Sequence, residues 1–289
     1  MTEDGDVPDD ALDDIAYLAR SENRVRVLRA LTETATKPGH QTPGYDRRDL
    51  ADATGASRTT LGRILTEFEE RGWAERNTSG EYVATPRGEH VAAAFDPFAR
   101  SMETIRDLGD AVAVLPTGEL SLGPDEEIPI GVHHFEDATV RRPESYDPTF
   151  FGRYFADLVA DAEEIYSVDY VATPEKMMAA IEDELYSSGL VTKTVFAETL
   201  ISHFRDHPGV GPNPEHLEFD GVEIYRYDGH VPCNVFVVDG TVLLENSQVE
   251  EIPDGTIIES RDDVVREWAI AVIERYVAAS ERVHPEDLA

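Results

Sequence analysis

The chain has 289 residues, with 59 Asp+Glu against 25 Lys+Arg, a formal net charge of −34 and a sequence pI near 4.4. Hydrophobic residues make up 41% of it and recur along its whole length, which excludes a disordered acidic tail and suffices for the cores of about two domains. No apolar run approaches the ~18 residues of a spanning helix, the acidic start MTEDGDVPDD is unlike a secretory signal, and the single Cys233 excludes an internal disulfide and a cysteine-based zinc site.

Residues 11–33 read as two helical stretches. Leu12, Ile15, Ala16 and Ala19 share one face of the first. Ser21 caps the second, which is expected to bury Val25, Leu28 and Leu31 and to point Arg24, Arg26 and Arg29 outward. The Pro-, Gly- and Thr-rich TATKPGHQTPGY (34–45) reads as a loop. A short helix, RRDLADATG (47–55), closes at Gly55, and two residues later Ser57 caps SRTTLGRILTEFEERG (57–72), which ends at Gly72. Leu61, Ile64, Leu65 and Phe68 form the buried face of this longer helix, leaving Thr59, Thr60, Gly62, Arg63 and Thr66 outside it, with Ser57 and Arg58 at its exposed start.

WAER (73–76), NTSG (77–80) and EYVAT (81–85) read as strand, tight turn, strand, with Arg76, Asn77, Thr78 and Ser79 at the tip. Thr85-Pro86 starts another helix. It runs over 86–109 with Val91, Phe95, Phe98, Met102 and Ile105 as apolar positions, and Pro97 is expected to kink or break it. The succession of helices, a capped longer helix and a two-stranded wing is a winged helix-turn-helix. Its N-terminal residue types suit a DNA major groove: Arg bonds guanine bidentately, and Ser and Thr reach phosphates or base edges. ENRVRVLRAL, DLADATGASRTTLGRILTEFEERGW and YVATPRGEHVA resemble the DNA-binding domain of archaeal transcription regulators of the ArsR/MarR-like superfamily.

Beyond Pro116, strands at 163–172, 189–196, 221–228, 233–239 and 241–246 alternate with helices at 149–162, 173–189 and 261–280, and Asp239-Gly240 reads as a hairpin turn. In the last helix Val264, Val265, Trp268, Ala269, Val272, Ile273 and Tyr276 are expected to pack in the core. FEDATV, FADLVADAEEIYSVDYV and VFVVDGTVLLEN followed by DGTIIESRDDVVREWAIAVIERY, with its central Glu267-Trp268-Ala269, resemble the C-terminal sensor domain of the archaeal filamentation-regulator type of methanogen helix-turn-helix proteins. That resemblance implies an α/β, phospholipase-D-like fold with a regulatory role. The expected architecture is thus an α+β winged helix-turn-helix domain over 10–95, a linker helix over 96–114 and an α/β sensor domain over 115–282.

Phospholipase-D chemistry needs H-x-K, and none of the nine histidines has Lys two positions on. No P-loop, G-x-S-x-G elbow or H-E-x-x-H is present either, so neither catalysis nor a cofactor is expected. His133-His134 with Glu136 and Asp137 is a poor metal cluster if on a strand, where neighbours point to opposite faces. Thr192, Lys193 and Thr194 interrupt a β-type run and are the clearest hint of a ligand pocket, but Lys193 pairs either with an anionic ligand or with a neighbouring carboxylate. Arg153 and Arg226 carry the same two readings. Cys233 is read as a small buried thiol rather than a redox switch.

Charge divides the chain. Residues 20–90 carry 12 Lys+Arg against 11 Asp+Glu, whereas residues 101–289 carry 12 against 40. Only three cations are lysines, a composition that resembles cytosolic proteins of salt-loving archaea. In molar salt the screening length is only about 3 Å, so global repulsion from DNA counts for little and local surface decides. The sequence thus points to a cytoplasmic transcriptional regulator that binds double-stranded DNA through Arg47, Arg48, Ser57, Arg58, Thr59, Thr60, Arg63, Arg76, Asn77 and Ser79. A homodimer is expected, with no membrane partner and with room for a small-molecule effector near Lys193, Arg153 and Arg226. The competing reading is a scaffold whose winged helix contacts protein.

Overall fold

The computed structural model describes residues 9–33, 44–115, 120–122, 128–143, 147, 149–171, 175–207, 210–246 and 255–288. Most of the 34–45 loop lies outside them. Two compact units, 1–99 and 100–289, make up the chain.

In the first unit, α1 (Asp9–Ala19) and α2 (Glu22–Glu33) precede α3 (Arg47–Thr54) and α4 (Arg58–Arg71). The turn between α3 and α4 is fixed at both ends. The Asp46 carboxylate accepts the Arg48 and Asp49 amides, and Gly55 takes the left-handed conformation (φ 69°) that closes α3. Ser57 then accepts Thr60 N to open α4, and Gly72 (φ 69°) ends it. Trp73, Phe68 and Tyr17 meet at centroid distances of 5.4–6.2 Å in the centre of this unit. The wing follows as β1 (Ala74–Arg76) against β2 (Tyr82–Ala84), and Tyr45 adds a bridge to Tyr82 on the other edge. Thr85 starts α5 (Pro86–Leu108), its hydroxyl accepting Gly88 N at 3.0 Å and donating to Gly72 O at 2.6 Å.

Two expectations for this unit are corrected, and of the kink or break expected at Pro97 the break is excluded. The buried face of α1 is Tyr17 and Leu18, not Leu12 and Ile15, which are 50% and 43% exposed. The aromatic cluster decides the helix's rotation, because Tyr17 has more area to bury against Phe68 and Trp73 than the aliphatic pair has elsewhere. Arg24 does not point outward; it lies 3.8 Å over the Tyr17 ring and donates to Tyr17 O at 2.6 Å. Finally, α5 continues through Pro97. Proline removes one i→i−4 bond there, but the turns on both sides keep theirs, and Phe95 before it and Thr104 after it are buried. Residues 96–114 are therefore the second part of α5 and a 3-10 turn, Gly109–Val114.

The second unit opens with the pair β3 (Leu120–Leu122) and β4 (Ile128–Ile130), then β5 (Thr139–Arg141) and α6 (Phe150–Val159). The units β6 (Glu164–Asp169), α7 (Glu175–Ser187), β7 (Val191–Ala197), α8 (Glu198–Asp206) and β8 (Val222–Tyr227) form a parallel run. The antiparallel strands β9 (Asn234–Val238), β10 (Thr241–Glu245) and β11 (Ile257–Ser260) come next, then α9 (Asp263–Ala278) and β12 (Glu281–Arg282). Together they build an eight-stranded mixed sheet of order β12-β8-β7-β6-β9-β10-β11-β5. Asp239 (φ 43°) and Gly240 (φ 81°) make the β9–β10 hairpin turn, and the Asp239 carboxylate accepts Glu163 N and Glu164 N.

Both sheet faces are covered. One packs against α9, whose Trp268 Nε1 donates to Ile128 O at 2.8 Å. The other packs against α6, α7 and α8. Val264, expected in the core, is 45% exposed, because it falls in the first turn of α9 beside the Asp262 cap, where Val265 alone turns inward. His133 and His134 lie in a 3-10 turn (Val132–Phe135) rather than a strand, with ring centroids 4.2 Å apart. Among the described residues, no group of three His, Cys, Asp or Glu is arranged to hold a metal ion. Cys233 is buried, and burial together with nearby Glu245 pushes its thiol's pKa up, away from reactivity. No described helix is long and apolar enough to cross a membrane.

Candidate nucleic-acid interface

The outer face of α4 is set by its buried one. With Leu61, Ile64, Leu65 and Phe68 locked into the core, Arg58, Thr59, Arg63 and Thr66 are left exposed and Gly62 half-buried between them. Ser57 acts first as a cap: its hydroxyl accepts Thr60 N at 3.2 Å and lies 2.9 Å from the Thr60 hydroxyl. Glu69 and Glu70 sit at the far end of the helix, about three turns from its start.

Arg48, Arg58 and Arg63 make no ion pair with any described residue. Arginines elsewhere are mostly tied to carboxylates, among them Arg71 with Asp14, Arg29 with Asp96, Arg141 with Glu259 and Arg142 with Asp110. Arg47 reaches over the Tyr82 ring, 5.8 Å from its centroid. Outside α4 itself, its Nη2 is also the atom nearest to where a methyl group added at Gly62 would sit, 4.0 Å away. Gly62 thus answers no need of internal packing, although glycine in a helix interior costs about 0.8–1.0 kcal/mol relative to alanine.

At the wing, Asn77 is engaged within its own turn and is not a free donor at the tip. Its Oδ1 accepts Ser79 N and Glu81 N, both at 3.0 Å, and its Nδ2 donates to Glu81 Oε2 at 3.0 Å. The four-residue turn leaves the strand-end amides without ladder partners, and the side-chain amide supplies them. Arg76 packs 4.6 Å over the Tyr82 ring, bonds the Tyr82 hydroxyl and lies 3.7 Å from Glu69. Ser79 remains exposed at the tip.

Two further cations, not expected at this interface, stand beside α4. Arg20 and Arg24, at the α1–α2 junction, line a hollow of about 490 Å³ together with Arg63 and Arg71. Their i, i+4 spacing was visible, but their approach to α4 is tertiary. The three ligand candidates of the second unit do not converge. Lys193 bonds Glu274 at 2.8 Å, which holds its pKa above the ordinary lysine value. Arg226 pairs with Glu198 and Glu281 on the opposite sheet face, and Arg153 with Asp147 and Thr149 on α6.

Residues 12–107 match the family described as the HVO_A0261 N-terminal domain. Among solved structures, the archaeal chromatin protein TrmBL2 aligns at 14% identity over 94% of this chain and 99% of its own, with a TM-score of 0.40. The MarR family protein Rv2887 of Mycobacterium tuberculosis aligns at 21% identity over 33% of this chain and 66% of its own, with a TM-score of 0.27. The phospholipase D family member Nuc of Salmonella typhimurium aligns at 13% identity over 51% of this chain and 99% of its own, with a TM-score of 0.37. No curated protein matches the chain.

Proposed function

We propose that the chain is a cytoplasmic transcriptional regulator whose first unit binds double-stranded DNA, with α4 in the major groove and Ser79 and Arg76 of the wing beside the backbone. The observation that carries the reading is the outer face of α4. Arg58 and Arg63 stand unpaired on it, beside Arg48, in a chain that otherwise ties most arginines to carboxylates. A net charge of −34 makes unpaired arginines on one helix face unusual, and a polyanion is the partner that uses them. Arg58 and Arg63 act on bases, Arg47 and Arg48 on phosphates, and Thr59 on either.

The second unit is read as the regulatory part, of the phospholipase-D-like sensor type that the sequence resemblance implies, and no catalysis is assigned to it. Dimerisation belongs to the same reading. Ile15 and Phe98 are exposed around an apolar hollow between α1 and α5 that is also lined by Leu18, Val91 and Phe95. Apolar positions 91, 95, 98, 102 and 105 repeat along α5 at the 3.5-residue spacing that pairs helices. A second copy of the chain is the proposed occupant.

The test is DNA binding by Arg58→Ala/Arg63→Ala, measured in molar KCl on promoter fragments retained by the wild type. Each lost base contact is expected to cost about 1–3 kcal/mol, so affinity should fall by about 30-fold or more. Unchanged affinity in a folded double mutant would overturn the assignment.

A further inference from the structure

The second unit holds a small cavity that Lys193, Arg153 and Arg226 do not line, although Thr192 and Thr194 do. It lies between the sheet face formed by β6, β7 and β8 and the inner side of α7, closed at one end by the Pro214–Glu218 turn. Its volume is about 50 Å³. At roughly 10–15 Å³ per water, that holds about four waters or a ligand of comparable size. Most of its wall is apolar, with Met177, Ile181, Leu185, Phe196 and Ile224 as the main contributors.

The polar part of the wall is concentrated at the end of β6. Asp169 is 3% exposed and lines the cavity. One of its oxygens, Oδ2, lies 2.9 Å from the Ser167 hydroxyl, which in turn lies 3.1 Å from the Thr194 hydroxyl. The other, Oδ1, is buried without any protein partner. Leaving a buried carboxyl oxygen unbonded costs on the scale of a lost hydrogen bond or more. Burial pushes the Asp169 carboxyl up to about 8, with Glu245 adding to the effect. The other titratable groups facing it are few. Glu245 is buried on β10 and takes a bond from Asn234 Nδ2 at 2.6 Å, and His216 and Glu182 stand across the cavity, His216 bonded to the Tyr186 hydroxyl at 3.0 Å. No lysine or arginine lines the cavity, and His216 Nδ1 lies 3.7 Å from Glu182 Oε1.

We propose that this cavity is a binding site for a small organic monocation, a primary ammonium on a short branched aliphatic body, with the ammonium bonded to Asp169 Oδ1 and the hydrocarbon against Met177, Ile181, Leu185, Phe196 and Ile224. A buried carboxyl with an unbonded oxygen, on a wall that has no lysine or arginine and whose His216 is already bonded to the Tyr186 hydroxyl, selects a cation over an anion. The mostly apolar wall selects a hydrocarbon body over a polyol. The cavity volume limits the whole ligand to about four heavy atoms, so the body is about the size of an isopropyl group. Binding moves one proton: the Asp169 carboxylic acid becomes a carboxylate facing the ammonium, and its proton leaves to solvent. The proposal deepens the reading of the second unit as regulatory, and its test uses no DNA, so either can fail without the other.

The experiment is isothermal titration of the full-length protein, in molar KCl at pH 7, with propan-2-amine, propan-2-ol and acetate. The amine should bind with one-to-one stoichiometry, at least tenfold tighter than the alcohol. The acid should not bind, and heats in two buffers of different ionisation enthalpy should report proton release with the amine only. Asp169→Asn should remove the amine's tenfold advantage and leave the alcohol unaffected. Ile181→Trp, which fills the cavity from α7, should abolish binding of both and serves if Asp169→Asn fails to fold. No binding by the amine, equal affinity for amine and alcohol, or amine binding that survives Ile181→Trp would each overturn the proposal.

Discussion

Replacing Gly62 by alanine separates what α4 needs from what its partner needs. Outside α4 itself, the nearest atom to the new methyl group would be Arg47 Nη2 at 4.0 Å, an ordinary contact with the far end of a flexible side chain. Nothing in the first unit therefore opposes the substitution, and helix propensity favours it by about 0.8–1.0 kcal/mol. For a unit of this size that is about 4–8 °C in melting temperature. Urea unfolding followed by the fluorescence of Trp73, with Trp268 replaced by Phe, measures it directly, since these are the chain's two tryptophans. The same methyl group would stand between Arg58, Thr59, Arg63 and Thr66, where the account brings the helix closest to the base edges. DNA affinity should fall about tenfold, or 1.4 kcal/mol, as the unit becomes more stable. A destabilised Gly62→Ala protein would show that the local packing has been misread. A stabilised protein with undiminished DNA affinity would refute the claim that Gly62 keeps the groove-facing side open.

Other consequences follow from the same contacts. Gly88→Ala should unfold the first unit or lower its stability by about 3 kcal/mol or more, because the added Cβ would lie 2.0 Å from Trp73 O, a backbone atom that cannot yield; the urea midpoint checks it. Phe98→Glu places a charge in the exposed apolar face of α5 and should turn a dimer into a monomer by sedimentation equilibrium, with the far-UV circular dichroism unchanged. Asp169 has a folded-state pKa raised to about 8, so between pH ~4 and ~8 the folded chain holds a proton that the unfolded chain has released. Its contribution is therefore fully present below pH ~4 and lost as pH rises towards 8. Asp169→Asn should flatten that decline in the stability of the second unit, measured by urea unfolding at a series of pH values.

Local signals carried the first unit well. The Ser57 cap, Gly55 and Gly72 at helix ends, and the turn between the wing strands all act over a few residues, and the structure realises each of them. The rotation of α1 was not legible, since Leu12 and Ile15 make as good an apolar stripe as Tyr17 and Leu18, and only the position of Trp73 chooses between them. In the second unit the polar run 192–194 divides between the two faces of its strand, and Lys193 takes the carboxylate pairing that the sequence left as one of two readings. Strand alternation sends Thr192 and Thr194 to the cavity and Lys193 to the α9 side, where Glu274 takes it. With both sheet faces covered, hydrophobic periodicity cannot say which face holds a site. Asp169 carried no signal at all, because a carboxylate at a strand end reads as a solvated one until α7 is seen to cover it.

The central claim is that the first unit recognises particular DNA sequences through α4. Its most direct measurement is genome-wide occupancy in cells at native salt, comparing the wild-type chain with Arg58→Ala/Arg63→Ala at equal abundance. The account predicts discrete peaks at promoters for the wild type and their loss in the variant. Uniform background for the wild type, as a protein-binding scaffold would give, or the same peaks in both, would contradict it.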